Sequence, residues 1–229
     1  MKYMIGYQQY CGLARALDVV GDRWALLIVR ELRPGPRRFT ALVKGLPGIS
    51  RKLLTERLRD LERNGIVARR HLPPPAARQV YELTEDGREL ATALVPLIAW
   101  GARRMGERRP GETVRARWSA VGMAALADRE AAKGVSGTYQ YVVGESAWHF
   151  VVDDGSIELR DGRSEAPTVV VTTDEATWAD IVTGNTSAEG AAAAGLLTVT
   201  GDREAAKRLG KIFARDRMFA RAKTPERSM

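Results

Sequence analysis

SRKLLTERLRDLERNGIVARRHLPPPAARQVYELTEDG, residues 50–87, changes its hydrophobic period partway along, and that change decides the fold of the first half. Leu54, Leu58 and Leu61 fall on one stripe at i, i+4 and i+7, with Arg51, Lys52, Thr55, Glu56 and Arg59 on the opposite one. This is the pattern of an amphipathic helix. Ser50 can cap it, because a serine hydroxyl accepts from an amide of the first turn, and Asn64-Gly65 stops it. After Gly65 the period becomes that of strands. Residues 66–71 lead out, residues 72–78 with their three consecutive prolines form a tip, and residues 79–83 return. Thr84 then caps a helix that begins Glu85-Asp86 and runs to Met105, with a bend at Pro96.

Upstream, Asp22 is the expected N-cap of a helix over 23–32, which Arg33-Pro34-Gly35-Pro36 ends because proline cannot continue it. Trp24, Leu27, Ile28 and Leu32 repeat at helical spacing and are expected to face a core. A short helix over 40–46 stops at Pro47-Gly48. Three helices, a two-stranded ribbon and a further helix make a winged helix–turn–helix, mostly α with a β wing. In that geometry the helix from Ser50 enters the major groove, where Arg51, Lys52, Thr55, Arg57 and Arg59 can reach base edges or phosphates. Arg69, Arg70, His71 and Arg78 on the ribbon can follow the backbone. The plainer alternative is a solvated charged face on an ordinary bundle helix, and the ribbon's position weighs against it.

Charge points the same way. The net charge is +8, and residues 1–112 carry 21 Lys/Arg against 12 Asp/Glu, whereas residues 113–229 carry 15 against 16. The excess sits entirely in the first half, as expected if that half meets a polyanion. Other classes are disfavoured. No run approaches the ~18 apolar residues of a membrane span, and the N-terminus lacks an apolar signal core, so a cytoplasmic, nucleoid-associated protein is expected. One cysteine and two histidines leave no internal disulfide and no Cys/His zinc site, and no cofactor is expected.

Cys11, the segments LDVVGDRW (17–24) and LRPGPRRF (32–39), then LPGIS (46–50), LTERLRDL (54–61) and YELTEDG (81–87), resemble the HxlR-type transcription regulators over about residues 10–105. The resemblance implies a homodimer joined through the first and last helices of the module, bound to an inverted-repeat operator in double-stranded DNA. It also implies that Arg37 and Arg38 contact backbone phosphates. Some such regulators use a cysteine at the position of Cys11 as an oxidant sensor. The alternative is a small thiol buried at the dimer helix. With no second cysteine, a redox switch would join two subunits or capture a small thiol.

Composition shifts near Arg108-Arg109-Pro110-Gly111, giving expected domains of 1–110 and 111–229. Residues 113–133 read as a helix whose buried stripe is Val114, Trp118, Val121, Ala125 and Leu126. Strands follow over 137–143, 147–152, 156–160, 167–173 and 196–200, with helices over 175–182 and 187–194 and, capped by Asp202, to about Phe213. The tail 221–229 is polar and expected to fray. Gly144-Glu145 followed by WHFVVDDG (148–155), with the pattern continuing through 169–213, resembles the SCP2 (sterol carrier protein 2-like) domain. This implies an α+β unit, a five-stranded sheet backed by helices, enclosing an apolar cavity. Trp118, Trp148, Phe150, Trp178, Ile181, Leu196, Leu209 and Phe213 are the candidate lining for a hydrophobic or aromatic effector, and for each the alternative is plain core packing.

No nucleophile elbow, phosphate loop, dinucleotide fingerprint or HExxH motif occurs, so no catalytic residue is expected. Asp153-Asp154-Gly155 reads as a turn. The chain therefore reads as a ligand-responsive regulator, a repressor in its simplest form. Its rivals are a redox regulator switching through Cys11 and a lipid or small-molecule carrier with a basic anchor.

Overall fold

The structure is a computed structural model that describes residues 6–73, 78–102, 104–106 and 108–213. It divides into two compact units at Leu94/Val95. The first contains α1 (Gly12–Val20), α2 (Ala25–Leu32), α3 (Phe39–Gly45), α4 (Arg51–Arg63), β1 (Val67–His71) and β2 (Gln79–Leu83). The helix α5 (Glu85–Ala102) carries residues of both units and ends three residues before the expected Met105.

The period change at Gly65 is realised as read. Leu54 and Leu58 are fully buried and Leu61 is 1% exposed, each burial contributing ~1.5–3 kcal/mol. Ser50 Oγ accepts from the Leu53 amide at 3.1 Å. The strands β1 and β2 pair antiparallel from Val67↔Leu83 to His71↔Gln79. Thr84 accepts from the Gly87 amide at 3.0 Å, capping α5, and donates to the Gly65 carbonyl at 2.5 Å. Gly87 permits this corner because a Cβ there would lie 2.1 Å from the Ile66 carbonyl oxygen. Of the expected ribbon tip, residues 74–77 lie outside the described residues, as does the tail 221–229.

Two local expectations are corrected. Asp22 does not cap α2; its N-cap is Trp24 without a side-chain bond, and the Asp22 carboxylate lies 2.5 Å from Arg57 instead. The buried side of α2 is Ala25, Ile28, Val29, Glu31 and Leu32, with Trp24 and Leu27 only half-buried. The helix α1, which the sequence does not announce by caps, precedes it.

The second unit holds α6 (Ala116–Leu126), β3 (Ser136–Val143), β4 (Ser146–Asp153), β5 (Ser156–Asp161), β6 (Val169–Thr173), α7 (Glu175–Thr183), α8 (Ala188–Ala193), β7 (Leu197–Gly201) and α9 (Arg203–Ile212). Its five strands lie in the order β5-β4-β3-β6-β7, antiparallel except for the parallel pair β3/β6. Alternation puts Tyr139, Tyr141, Trp148, Phe150 and Val171 on one buried face, packed with Trp178 and Ile181 of α7 and with Ile212 of α9. On the other face the buried Gln140 and His149 are satisfied by the loop after β5. Ser164 N–H donates to Gln140 Oε1 at 2.7 Å, and His149 Nδ1 lies 3.0 Å from the Gly162 carbonyl.

The helix expected over 113–133 is shorter, and its buried side is Ala116, Ala120, Val121, Met123 and Ala124 rather than the stripe through Trp118 and Ala125. Small residues let α6 lie close to the sheet, a preference that a search for large apolar groups misses. Asp174, Ser187 and Asp202 cap α7, α8 and α9 as their sequence positions suggest. The last strand begins one residue later than expected. The Leu196 amide bonds back to Ala191, closing α8, so Leu197 is the first residue to pair with Thr173.

Candidate nucleic-acid interface and effector unit

The outer face of α4 presents Arg51, Lys52 and Arg59 to solvent, with Ser50 at its N-terminus. Thr55 is half-buried and its hydroxyl donates to the Arg51 carbonyl at 2.9 Å. Glu56, Arg59, Asp60, Glu62 and Arg63 border an open depression of about 530 Å³ on the same helix. Aligned amides at the N-terminus of α4 and the cations beside it favour a phosphate or a base edge there.

Other cations expected at this interface are engaged within the protein. Arg57 bridges Asp22 at 2.5 Å and Asp60 at 2.8 Å. Arg69 grips Glu62 through Nε at 2.7 Å and lies 5.4 Å from the Tyr81 ring, while Arg70 pairs with Glu82 at 3.1 Å. The Arg69–Glu62 pair ties the wing to α4, and the Arg70–Glu82 pair joins its two strands. Arg78 is exposed at the start of the returning strand, where its carbonyl accepts from the Leu72 amide.

Arg37 and Arg38 part company. Arg38 is exposed at the N-cap of α3. The Arg37 side chain is 18% exposed and donates to the buried carboxylate of Glu31 at 2.9 Å, while Arg30 donates to that carboxylate's other oxygen at 2.9 Å. Arg37 also exchanges backbone hydrogen bonds with Tyr81, adding a short third rung to the ribbon. Gly45 makes room for this carboxylate, since a Cβ there would lie 2.3 Å from Glu31 Oε2. Sequence reasoning missed this ion cluster. Its signal was a glutamate amid the apolar residues of α2 with arginines on either side.

Cys11 is exposed at the N-cap of α1 in the single chain. The backbone amides of Ala14 and Leu13 hold its thiol below the ordinary range. Arg15, one turn along, lies 3.8 Å from Asp18.

In the second unit, Trp148, Phe150, Trp178, Ile181 and Phe213 are brought together in one buried cluster, with Leu209 packed against it. Tyr141 stacks on Trp148 at 5.6 Å and meets Trp178 edge-on at 5.7 Å; Phe150 and Phe213 lie 4.6 Å apart. Two of the expected lining residues stand apart. Leu196 is 55% exposed beyond α8, and Trp118 is half-buried on α6, outside the buried cluster, with the Arg115 guanidinium 5.8 Å from its ring.

Residues 19–109 match the HxlR-like helix-turn-helix family. The regulator YodB of Bacillus subtilis is 39% identical over 99 residues, spanning 43% of this chain and 86% of that protein. The chain belongs to the HxlR-like helix-turn-helix family. Its first unit is thus that of a DNA-binding transcription regulator and not of an enzyme. A second relative of this HxlR-family chain, the regulator sll1512 of Synechocystis, is 39% identical over 92 residues, covering 40% of this chain and 68% of its own. The crystal structure of quinone-bound YodB aligns at 37% identity with a TM-score of 0.34, over 39% of this chain and 93% of that one. Residues 120–214 match the SCP-2 sterol transfer family, so the HxlR regulator carries an SCP2 domain after its DNA-binding unit. No helix among the described residues is long and apolar enough to cross a membrane.

Proposed function

We propose that this regulator binds an inverted-repeat operator as a homodimer, in its simplest form as a repressor. A hydrophobic or aromatic small molecule entering the SCP2 domain changes its operator affinity. The observation that carries the first part is the face of α4, where Arg51, Lys52 and Arg59 stand exposed behind a Ser50 cap while the leucine stripe is buried. Arg38 and Arg78 extend the set toward the flanking backbone. Arg37, Arg57, Arg69 and Arg70 support the geometry of the module through their ion pairs, with a smaller share in DNA contact.

Dimerisation is supported by apolar residues left in solvent on the two helices the family would use. Leu13 and Leu17 on α1 and Leu97 and Trp100 on α5 are exposed. Two recognition helices in a dimer must meet half-sites about one helical turn apart, ~34 Å, so a shift of a few ångströms costs contacts. An effector that favours one arrangement changes operator affinity, typically by ~1–3 kcal/mol, and DNA weakens effector binding by the same factor.

Operator footprinting of the full chain, with and without compounds recovered by organic extraction of the purified protein, tests this reading. Protection of an inverted repeat that is lost on adding the extracted compound supports it; unchanged protection counts against the effector role. A second reading, a redox switch through Cys11, is favoured by the exposure of that thiol and by the amides that lower its pKa.

A further inference from the structure

The two edges of the five-stranded sheet are built differently. At one edge, β5 carries Glu158, Arg160 and Asp161. Glu158 and Arg160 pair at 2.7 Å and both stand well out in solvent, while Asp161 pairs with Arg117 of α6. Charge of this kind is a common means of keeping an edge strand from pairing with another chain. At the other edge, β7 has none. The chain is uncharged and free of proline over the twelve residues 190–201, and among the described residues only β6 pairs with β7. Thr198 and Thr200 are exposed, Val199 is 47% exposed, and Leu196 just before the strand is exposed as well.

Val199 lies directly opposite Val171, so it shares the helix-covered face of the sheet. Both α8 and α9 pack against β7, yet this valine stays half in water, so the helices leave room at the edge. A strand rich in β-branched residues, with no charge or proline along it, is suited to accept a further strand.

The partner that fits is a second copy of this chain. A two-fold axis perpendicular to the sheet at Val199 pairs all five residues of β7 antiparallel: Val199 with Val199, Thr198 with Thr200, and Leu197 with Gly201. It keeps the helix-covered faces of both copies on one side. Valine meets valine and threonine meets threonine, and no like charges face each other, since Asp202 falls opposite Leu196. The same operation on β5 would set Glu158 against Glu158 or Arg160 against Arg160, which repel. Five residues of pairing are weak in isolation, but two SCP2 domains carried by one dimer meet at a high effective concentration.

We propose that the outer edge of β7 is a self-association surface, which joins the two SCP2 domains of the homodimer into one continuous sheet. This rests on the homodimer reading above and adds a second contact between its subunits.

The test uses the full chain with Cys11→Ser, which removes the native thiol, combined with either Val199→Cys or Glu158→Cys and oxidised at several dilutions. Directly opposite residues hold their Cβ atoms about 4.5–5.5 Å apart, close enough for a disulfide after a small adjustment. Most of the Val199→Cys chains should run as linked dimers on a non-reducing gel, in a fraction that does not fall on dilution. The Glu158→Cys chains should run as monomers. Adding Thr198→Lys to Val199→Cys should cut the linked fraction severalfold, and an unchanged fraction overturns the proposal. Sedimentation equilibrium separates the remaining failures. A dimeric chain that forms no link through Val199→Cys, as when another segment lies on β7, or that links equally through Glu158→Cys, overturns the β7 surface alone. A chain that is monomeric throughout overturns the homodimer reading and the surface with it.

Discussion

Arg37 reaches the buried carboxylate of Glu31 at 2.9 Å, whereas its neighbour Arg38 projects into solvent from the N-cap of α3. Two adjacent arginines in one motif therefore have different work. Removing Arg37 takes one of its cations from the Glu31 carboxylate, which is 1% exposed and also pairs with Arg30. Arg37→Ala should lower unfolding free energy by about 3 kcal/mol, the usual cost of breaking a buried ion cluster. Arg38→Ala should change stability by less than ~0.5 kcal/mol and weaken binding to all DNA sequences alike. Chemical denaturation and gel-shift titration of the two variants separate the effects; equal destabilisation would contradict the assignment.

Operator binding should be strongly salt-dependent. Arg38, Arg51, Lys52 and Arg59 are exposed, and none of them forms an ion pair among the described residues. With about three phosphates neutralised per subunit, a dimer should show a slope near −5 in a plot of log affinity against log salt. A slope near zero would remove DNA from the list of partners.

Arg51 and Lys52 occupy the first turn of α4, where a recognition helix meets base edges. Alanine at either should relax sequence choice by ~1–3 kcal/mol at one operator position. Competition between operator and scrambled DNA reads this out. Arg57→Ala should act differently, because its guanidinium ties α4 to Asp22: the expected outcome is a stability loss rather than a change of preference.

The Cys11 thiol, held low by the amides of Ala14 and Leu13, should ionise at lower pH in the folded chain than in the unfolded one. An acid whose folded pKa is depressed adds stability above its unfolded pKa, and that stability fades as pH falls through the folded value. Iodoacetamide labelling followed against pH should reach half its maximum rate below the ~8.5 of a free cysteine, and urea should restore that value. Coincident curves would remove the basis for a redox role. Cys11→Ser should abolish any response to oxidant while leaving the response to an apolar effector.

A fragment ending at Arg109 keeps all of α5 and should retain DNA binding while losing the effector response. Within the full chain, Ile181→Trp should blunt that response, because Ile181 is 8% exposed and packs in the aromatic cluster. Leu196→Trp should not, since Leu196 is 55% exposed beyond α8. Fluorescence titration and footprinting of these variants decide whether the effector enters this cluster.

The sequence by itself determined most of the elements and their order, α1 apart. The leucine stripe of 54–61, the caps at Ser50, Thr84, Asp174, Ser187 and Asp202, and the alternation through 136–161 are local signals, because a hydroxyl or carboxylate meets an amide two or three residues away whatever the rest of the chain does. The tertiary structure decided which charges are available. Arg37, Arg57 and Arg69 look like Arg38, Arg51 and Arg59 in the sequence, but acids 6, 35 and 7 residues away along the chain claim the first three. Folding also chose Leu197 over Leu196 for the core by one residue of register, which reverses the face of a strand. The pairing of Arg117 on α6 with Asp161 on β5 is equally a product of folding. That pair exists only once α6 lies on β5, and no spacing in the chain foretells it.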